Sequence, residues 1–344
     1  MKFLALGDTH LGFLSGRTAD ARRKMADYAA QQFTQVVKQA ITNKVDVVFH
    51  TGDIFNRSHP PDWARHQYYQ AVELLLQEGI EFMAIPGNHD RGVLQPSLMD
   101  YMYSNYVVFN KLQSKEYDGA KIIGLPYVFT KHKQQQQKLK KMVEDFEGPS
   151  IVLTHQVFAG SWFGPHQFYF RYGDDVYNMR HFPKRCQVLS GHIHRSQAVQ
   201  EGRVVYTGST IRTSFQEAIE PKGYLLGEVD VTTNTIEIEF VAIESIPMVV
   251  IERNRDQLNL EELDEILESI EKPARILLRL LNQNVDYNLL NQLQKRYGTD
   301  GFPYFFISPK TPGVILEPLY RNFSTKFKAV EIKRTWTTTQ YLEQ

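Results

Sequence analysis

Five clusters of metal-liking side chains recur along this chain in a fixed order: Asp8-Thr9-His10, Gly52-Asp53, Gly87-Asn88-His89-Asp90, Thr154-His155 and Gly191-His192-Ile193-His194. Each follows a short apolar run. The runs Phe3–Leu6, Val45–Phe49, Glu81–Ile85, Ile122–Leu125, Ile151–Leu153, Gln187–Leu189 and Val204–Tyr206 are partly β-branched and bounded by turn residues, so all seven read as buried strands. Helical patterns lie between the first of them, over Thr18 to Asn43, Asp62 to Glu78 and Pro96 to about Tyr103; Asp62 is expected to cap the second and Gly79 to close it. Strand alternating with helix predicts an α/β sheet, largely parallel at first and more strand-rich later. In such sheets ligands gather beyond the carboxyl ends of the strands, where all five clusters fall.

The residue types suit two metal ions. Two divalent cations ~3.5–4 Å apart polarise a phosphoryl oxygen and stabilise the entering and leaving oxygens of an in-line displacement, so the protein must supply one bridging carboxylate and several terminal ligands. Asp53 is the natural bridge, because it follows Gly52 on a tight turn where both oxygens face the cleft. Asp8 and His10 stand two apart in a segment read as extended and so share one side; His192 and His194 do likewise, with Ile193 facing away. Imidazole, carboxylate and amide ligation without sulfur suits Mn, Fe or Zn better than Mg or Ca. Asn88 offers an amide oxygen. His89 then sits beside the metals rather than on them, free to protonate a leaving oxygen, a role typically worth ~10²–10⁴ in rate. Asp90 either orients His89 or caps the next segment. Taken singly, each cluster is also an ordinary turn, a core histidine or an edge strand; their joint order at strand ends carries the metal reading.

At 344 residues, against a prior of ~150 residues per domain, two domains are expected. The pattern changes after Val241, which divides the chain into residues 1–242 and 243–344. Strands are expected in the second unit at Met248–Ile251, Arg275–Leu281, Pro303–Ile307 and Ala329–Ile332. Helices are expected at Leu260–Ile270, with Asn259 and Glu262 at capping-box spacing, and at Tyr287–Tyr297, between Asp286 as cap and Gly298 as stop. This unit carries no ligand cluster, so its expected role is to position substrate. Lys plus Arg balances Asp plus Glu at 39 each, so no overall field draws the protein to a polyanion and any nucleic-acid contacts must be local. Cys186 is the only cysteine, which excludes an internal disulfide and a thiolate metal cluster and fits a reducing cytoplasm. The first apolar stretch meets Asp8 too early for a signal peptide, and no run approaches the ~20 apolar residues of a membrane span.

Two segments admit two readings each. The basic, glutamine-rich stretch Lys131–Lys141 is the solvated face of a helix or a contact to DNA. The aromatic stretch Val157–Arg171 either stacks on unpaired bases or packs Phe158, Trp162 and Phe170 into a hairpin core. Arg17, Arg22, Arg23, Arg57, Arg91, Arg195 and Arg212 lie near strand-end loops or motifs and are candidates for phosphate contact.

With these residues in view, the chain resembles the calcineurin-like metallophosphoesterases, whose ordered signature is D-x-H, G-D, G-N-H-D/E, a lone His and G-H-x-H; the likeness runs from residue 1 to about 230. It resembles the SbcD family of double-strand-break repair nuclease subunits more closely still, through Gly52-Asp53-Ile54-Phe55, His194-Arg195, Val205–Ser209, Arg212–Phe215 and Glu220–Tyr224. The resemblance implies a two-sheet α/β sandwich flanked by helices, with a small α+β C-terminal capping domain. It implies one metal held by Asp8, His10, Asp53 and His194 and another by Asp53, Asn88, His155 and His192, with His89 as the catalytic imidazole that binds neither. It also implies two Mn2+ ions, exonuclease action on DNA with or without endonuclease action, a homodimer, and an SbcC-like coiled-coil ATPase partner in the cytoplasm, at the nucleoid, or in a host cytoplasm for a phage-encoded chain. Tyr68, Val72, Leu75, Leu98 and Tyr101 lie where such proteins dimerise, or else pack on their own sheet. Relatives often place Asp or His where this chain has Asn56, which leaves a supporting role there open. Little sequence remains after the capping unit for a long helical ATPase-binding arm. The competing functions are a metallophosphoesterase acting on a nucleotide or phosphoprotein, and a non-catalytic DNA-end-binding scaffold.

Overall fold

The computed structural model describes residues 1–90, 98–128, 133–164, 168–171, 176–183, 186–254, 258–271, 273–281, 287–297, 305–310 and 334–337. All seven expected strands are present. Lys2–Leu6, Val47–His50, Glu81–Ala84 and Tyr106–Val108 run parallel in a seven-stranded sheet, which continues antiparallel through Lys222–Asp230, Thr235–Ile243 and Arg334–Thr337. A six-stranded sheet has Ala120–Leu125, Ser150–Thr154, Gln187–Ser190 and Val204–Tyr206 parallel at its centre, with Gln113–Tyr117 and Gln197–Val199 as antiparallel edges.

The two sheets face each other across one apolar layer. Phe3, Ala5, Val47, Phe49 and Met83 from the first meet Ile122, Ile151, Leu153, Leu189 and Val205 from the second. Because neighbouring strand residues point to opposite faces, Leu4, Leu6, Val48 and Phe82 turn the other way, onto the helices Ala19–Thr42 and Asp62–Gln77. Ile123, Val152, Val188 and Val204 form the corresponding outer face of the second sheet, packed with Leu139 and Val143 of the helix Lys133–Glu144 and with Phe158, Tyr177 and Phe182. Each such fully buried side chain contributes about 1.5–3 kcal/mol. The result is a helix-flanked two-sheet sandwich.

Helix ends show where local chemistry differs from expectation. Thr18 caps the first helix, its side chain accepting from the Ala21 N–H. Pro61, not Asp62, is the N-cap of the second; Asp62 lies in the first turn, where its charge complements the helix dipole without a side-chain capping bond. Gly79 closes that helix at φ +76, donating to Leu76 O. The helix expected from Pro96 is described over Leu98–Met102. On Lys133–Glu144 the side chains of Lys138, Lys140 and Lys141 are exposed while Leu139 and Val143 are buried.

In the C-terminal region, Met248–Asn254, Arg275–Leu281 and Phe305–Lys310 make a three-stranded parallel sheet, with helices Leu260–Ser269 and Tyr287–Tyr297 between successive strands. Asn259 caps the first helix by accepting from Glu261 N, but Glu262 makes no reciprocal bond and instead pairs with Arg253 at 2.7 Å. The expected strand Ala329–Ile332, the cap Asp286 and the stop Gly298 lie outside the described residues. This sheet joins the sandwich through buried Arg275, which donates to Arg212 O at 2.7 Å and Ser15 Oγ at 3.0 Å.

Candidate metal centre

Four of the motif residues adopt a backbone conformation that side chains with a Cβ rarely take: Asp8 at φ +50, His10 at φ +45, Asp53 at φ +52 and His192 at φ +81. Single residues held this way store strain, and such strain clusters where function needs it. The first and last clusters therefore face the cleft through left-handed turns rather than through the extended alternation expected from the sequence. The turns lock to one another by backbone bonds, Asp8 N to Gly52 O at 2.9 Å, His10 N to Asp53 O at 3.1 Å and Gly191 N to Thr154 O at 3.0 Å. Glycine makes this packing possible: a Cβ on Gly87 would lie 2.2 Å from Asp53 Oδ1, and one on Gly52 (φ +99) 2.6 Å from His155 Nδ1.

The side chains converge on two adjoining points. His155 donates from Nδ1 to Thr51 O at 2.8 Å, which leaves Nε2 facing Asp53 Oδ2 at 3.3 Å and Asn88 Oδ1 at 3.0 Å. His192 Nδ1 lies 2.9 Å from the same Asn88 oxygen. On the other side, His194 places Nδ1 3.2 Å from Glu217 Oε1, and its Nε2 faces His10 Nε2 at 3.0 Å and Asp8 Oδ1 at 3.6 Å. Asp53 Oδ2 stands 4.0 Å from His10 Nε2, between the two groups. Among the described residues the buried His10 Nδ1 has no hydrogen-bond partner. Ligand-type nitrogen and oxygen atoms thus crowd together from both directions, and where no proton is shared between them such an arrangement costs free energy unless a cation sits there. This donor set fits two divalent cations, and Asp8, His10 and His194, and Asp8, Asp53 and His155, each bring ligand atoms within 4.8 Å of one another.

The electrostatics point the same way. Burial, with the like-charged His194 ring, pushes His10 down to about 3, and burial with His155 does the same to His192. Burial pushes Asp8 up to about 6 despite His155 and His194. Burial would also raise Asp53, but His155, His10 and His89 hold it below the ordinary carboxylate range, and against the burial that would lower it His155 is carried to about 9 by Asp53 and Asp8. The two carboxylates thus draw positive charge to the His155 position.

The supporting residues act differently from the sequence reading. Asp90 is fully buried and makes no bond to the His89 side chain among the described residues: its carboxylate accepts from Ile54 N at 2.9 Å, Phe55 N at 2.8 Å and Gly87 N at 3.2 Å, tying the Asp53 turn to the Asn88 turn, while the following segment, the one it could cap, lies outside the described residues. His89 is oriented by Asn56, through the backbone carbonyl, which accepts from Nδ1 at 2.8 Å. Since every residue type has that carbonyl, the Asn56 side chain is not needed for it. His89 Nε2 lies 3.9 Å from Asp53 Oδ2, and its side chain is 41% exposed.

Two supports went unseen in the sequence. His50 accepts from Gly52 N at 3.3 Å, so its Nε2–H donates to Thr9 Oγ1 at 3.1 Å, and Thr9 donates to Ile54 O at 3.0 Å. Glu217 holds His194 and pairs with buried Lys222 at 2.7 Å; although burial would raise it, Lys222 and His194 keep it well below the usual carboxylate range. His50 ends a strand directly after an apolar run and Glu217 is a lone acid, so only folding, which brings each against a motif, reveals them.

The candidate phosphate contacts separate. Arg57 is exposed on the turn after Asp53, and Arg22 and Arg23 are exposed on the first helix. Arg195 lies 3.7 Å above the Trp162 ring, directly after His194, and Gln197 fixes Trp162 through both its backbone N–H and carbonyl. Arg17 donates to Phe305 O at 3.4 Å. Arg212 turns inward, donating to Glu217 O, Glu220 O, Ser245 Oγ and Ile246 O. Arg91 lies outside the described residues. In the aromatic stretch Phe158 is core, whereas Phe163, Phe168 and Tyr169 are exposed on a short hairpin. Tyr68, Val72 and Leu75 are fully buried within the chain, and Tyr101 is 81% exposed. Among the described residues no helix is long and apolar enough to cross a membrane.

The profile of the calcineurin-like phosphoesterase family matches residues 1–196. The chain is similar to the DNA double-strand break repair protein Mre11 of Methanocaldococcus jannaschii, 26% identical over 69% of this chain and 64% of that one. It is similar also to Mre11 of Thermoplasma acidophilum, 25% identical over 76% and 71%. A third relative is the SbcD component of the nuclease SbcCD of Staphylococcus epidermidis, 24% identical over 67% and 66%. The chain thus spans roughly two thirds of the length of these relatives, 64% of the first.

Proposed function

Since this chain belongs to the calcineurin-like phosphoesterase family, a family of metal-dependent hydrolases, we propose that it is a two-metal DNA nuclease that hydrolyses phosphodiester bonds in repair, recombination or replication. The observation that carries the reading is the convergence of ligand-type atoms from Asn88, Asp53, His155, His10 and His194 on two adjacent points. Asp8, His10, Asp53 and His194 would hold one ion and Asp53, Asn88, His155 and His192 the other, Mn2+ being the ion that best suits mixed imidazole, carboxylate and amide ligation. Bound there, the ions supply Lewis-acid polarisation of the phosphoryl group and an activated water. Asp8 is itself held to the opposite turn by the His192 N–H, at 3.0 Å, so the bed is built before substrate arrives. His89, anchored through Nδ1, presents Nε2 to the cleft; as the imidazolium it gives the Nε2 proton to the departing sugar oxygen and is left neutral with its proton on Nδ1.

The likeness to Mre11 and SbcD proteins supports DNA as substrate over a nucleotide or phosphoprotein. Among the described residues Arg57 and Arg195 are exposed or half-exposed cations close to the motifs in the chain and would take phosphates; Arg212 contributes to the junction instead. Within the same reading, residues 243–344 form a capping domain that positions DNA against the catalytic domain 1–242. The protein acts as a homodimer with an SbcC-like ATPase, in the cytoplasm.

The test is to incubate end-labelled DNA and a small aryl phosphate with the protein and Mn2+ or Mg2+. Metal-dependent DNA degradation is expected. Activity confined to the aryl ester would overturn the nuclease reading, and binding of DNA ends without cleavage would favour a scaffold.

A further inference from the structure

Glu217 occupies a place that the motifs do not mark. It ends a single 3-10 turn, Phe215–Glu217, far along the chain from most of the ligand clusters, and is buried. Its Oε1 accepts from His194 Nδ1 at 3.2 Å, Thr213 Oγ1 at 2.8 Å and Ser214 N at 3.0 Å; Oε2 accepts from Lys222 Nζ at 2.7 Å. Lys222 is just as buried and donates also to His194 O at 3.1 Å and Glu220 Oε2 at 3.4 Å.

These contacts decide which nitrogen of His194 carries the proton. A neutral imidazole has one N–H and one lone pair, and only the lone pair can face a cation. A carboxylate is an acceptor on both oxygens, so a proton on Nδ1 is held and the lone pair is left on Nε2, the atom that faces His10 and Asp8. Every donor around Glu217 other than His194 is fixed: a backbone N–H, an ammonium, and a hydroxyl aimed at Oε1. Thr213 Oγ1 also comes within 3.3 Å of Nδ1, but its proton is already committed to Glu217.

We propose that Glu217, backed by Lys222, is a positioning residue that sets the His194 tautomer and ring orientation for the metal shared with Asp8 and His10. The inference rests on the metal-centre reading above. A glutamine at this position breaks the device by geometry alone. With its oxygen toward His194, its amide NH2 meets the Lys222 ammonium; flipped, the NH2 meets Ser214 N–H and His194 Nδ1, and the ring is driven to carry its proton on Nε2. Loss of such an outer hydrogen bond typically weakens a metal site ~10–100-fold.

The experiment titrates Mn2+ into the metal-free full chain, reading free ion by electron paramagnetic resonance, for wild type, Glu217→Gln and Glu220→Gln. Glu220 shares Lys222 but does not touch His194, so it controls for loss of a buried acid. In parallel, ¹⁵N-histidine NMR of the metal-free proteins, at a pH where the ring is neutral, reports the His194 tautomer. Expected are two ions in wild type, one of them weakened ~10–100-fold in Glu217→Gln with the other unchanged, and no change in Glu220→Gln. His194 should carry Nδ1–H in wild type, and Glu217→Gln should populate the Nε2–H form. Equal losses in both variants, or no loss in Glu217→Gln while wild type binds two ions, would overturn the role of Glu217 alone. No Mn2+ binding by wild type would overturn the metal-centre reading with it. Should Glu217→Gln fail to fold, the wild-type spectrum still decides, because Nε2–H on His194 contradicts the proposal directly.

Discussion

His89 donates from Nδ1 to the backbone carbonyl of Asn56 across 2.8 Å, so its ring is fixed by the turn that also carries Asp53 while its other nitrogen points into the cleft. A residue placed this way can transfer a proton without holding metal.

Replacing His89 with glutamine should therefore lower turnover on DNA by ~10²–10⁴ while leaving the Mn2+ titration unchanged. Rapid-quench cleavage assays and equilibrium metal binding on the same variant check both halves. Loss of an ion in the variant would make His89 a ligand, a role that its closeness to His10 and Asp53 permits geometrically.

Asp90 holds three backbone N–H groups from two separate turns in a fully buried place. Asp90→Ala strands those donors, each worth about 1–3 kcal/mol when buried and unpaired. Urea unfolding in chelator should show a loss of about 3 kcal/mol or more, and Mn2+ affinity should fall because the Asp53 and Asn88 turns are no longer tied.

Arg57 and Arg212 should behave oppositely toward DNA. Arg57→Ala removes an exposed cation beside the cleft, so the slope of log affinity against log salt should shrink by about 1. Arg212→Ala should leave that slope unchanged and instead loosen the link to Ser245 and Ile246, seen as faster limited proteolysis near residue 245. A changed salt slope in Arg212→Ala would return it to the DNA surface.

Burial pushes the Cys186 thiol from 9.0 up to about 12 and the Tyr177 hydroxyl from 10.0 up to about 12. Both groups are neutral when protonated, and folding favours that neutral form. Their contribution is complete below the unfolded values and is lost as pH rises toward 12, so stability should fall between pH 9 and 12 rather than rise. At neutral pH native Cys186 should resist alkylation and react only on unfolding.

The strands, and the meeting of the motif residues at their ends, were legible because residue type carries both: β-branched apolar runs build a buried sheet, and Asp, Asn and His at its ends are side chains suited to divalent cations. The backbone at those ends was not. Asp8 and His10 looked like neighbours on an extended strand, yet both sit in left-handed turns, a conformation imposed by the Gly52–Asp53 turn packed against them. Arg212 stood beside a motif like any phosphate ligand, and only the fold shows its guanidinium turned onto carbonyls. Glu217 gave no signal at all, because a single acid becomes informative only when folding sets it against His194.

The central claim is a two-ion centre bridged by Asp53, and the most direct measurement is Mn2+ stoichiometry in wild type and Asp53→Asn. Wild type should bind two ions per chain, and Asp53→Asn should weaken both, since that carboxylate lies between the His155 and His10 groups. One ion in wild type, or a variant that loses only one, would contradict the account.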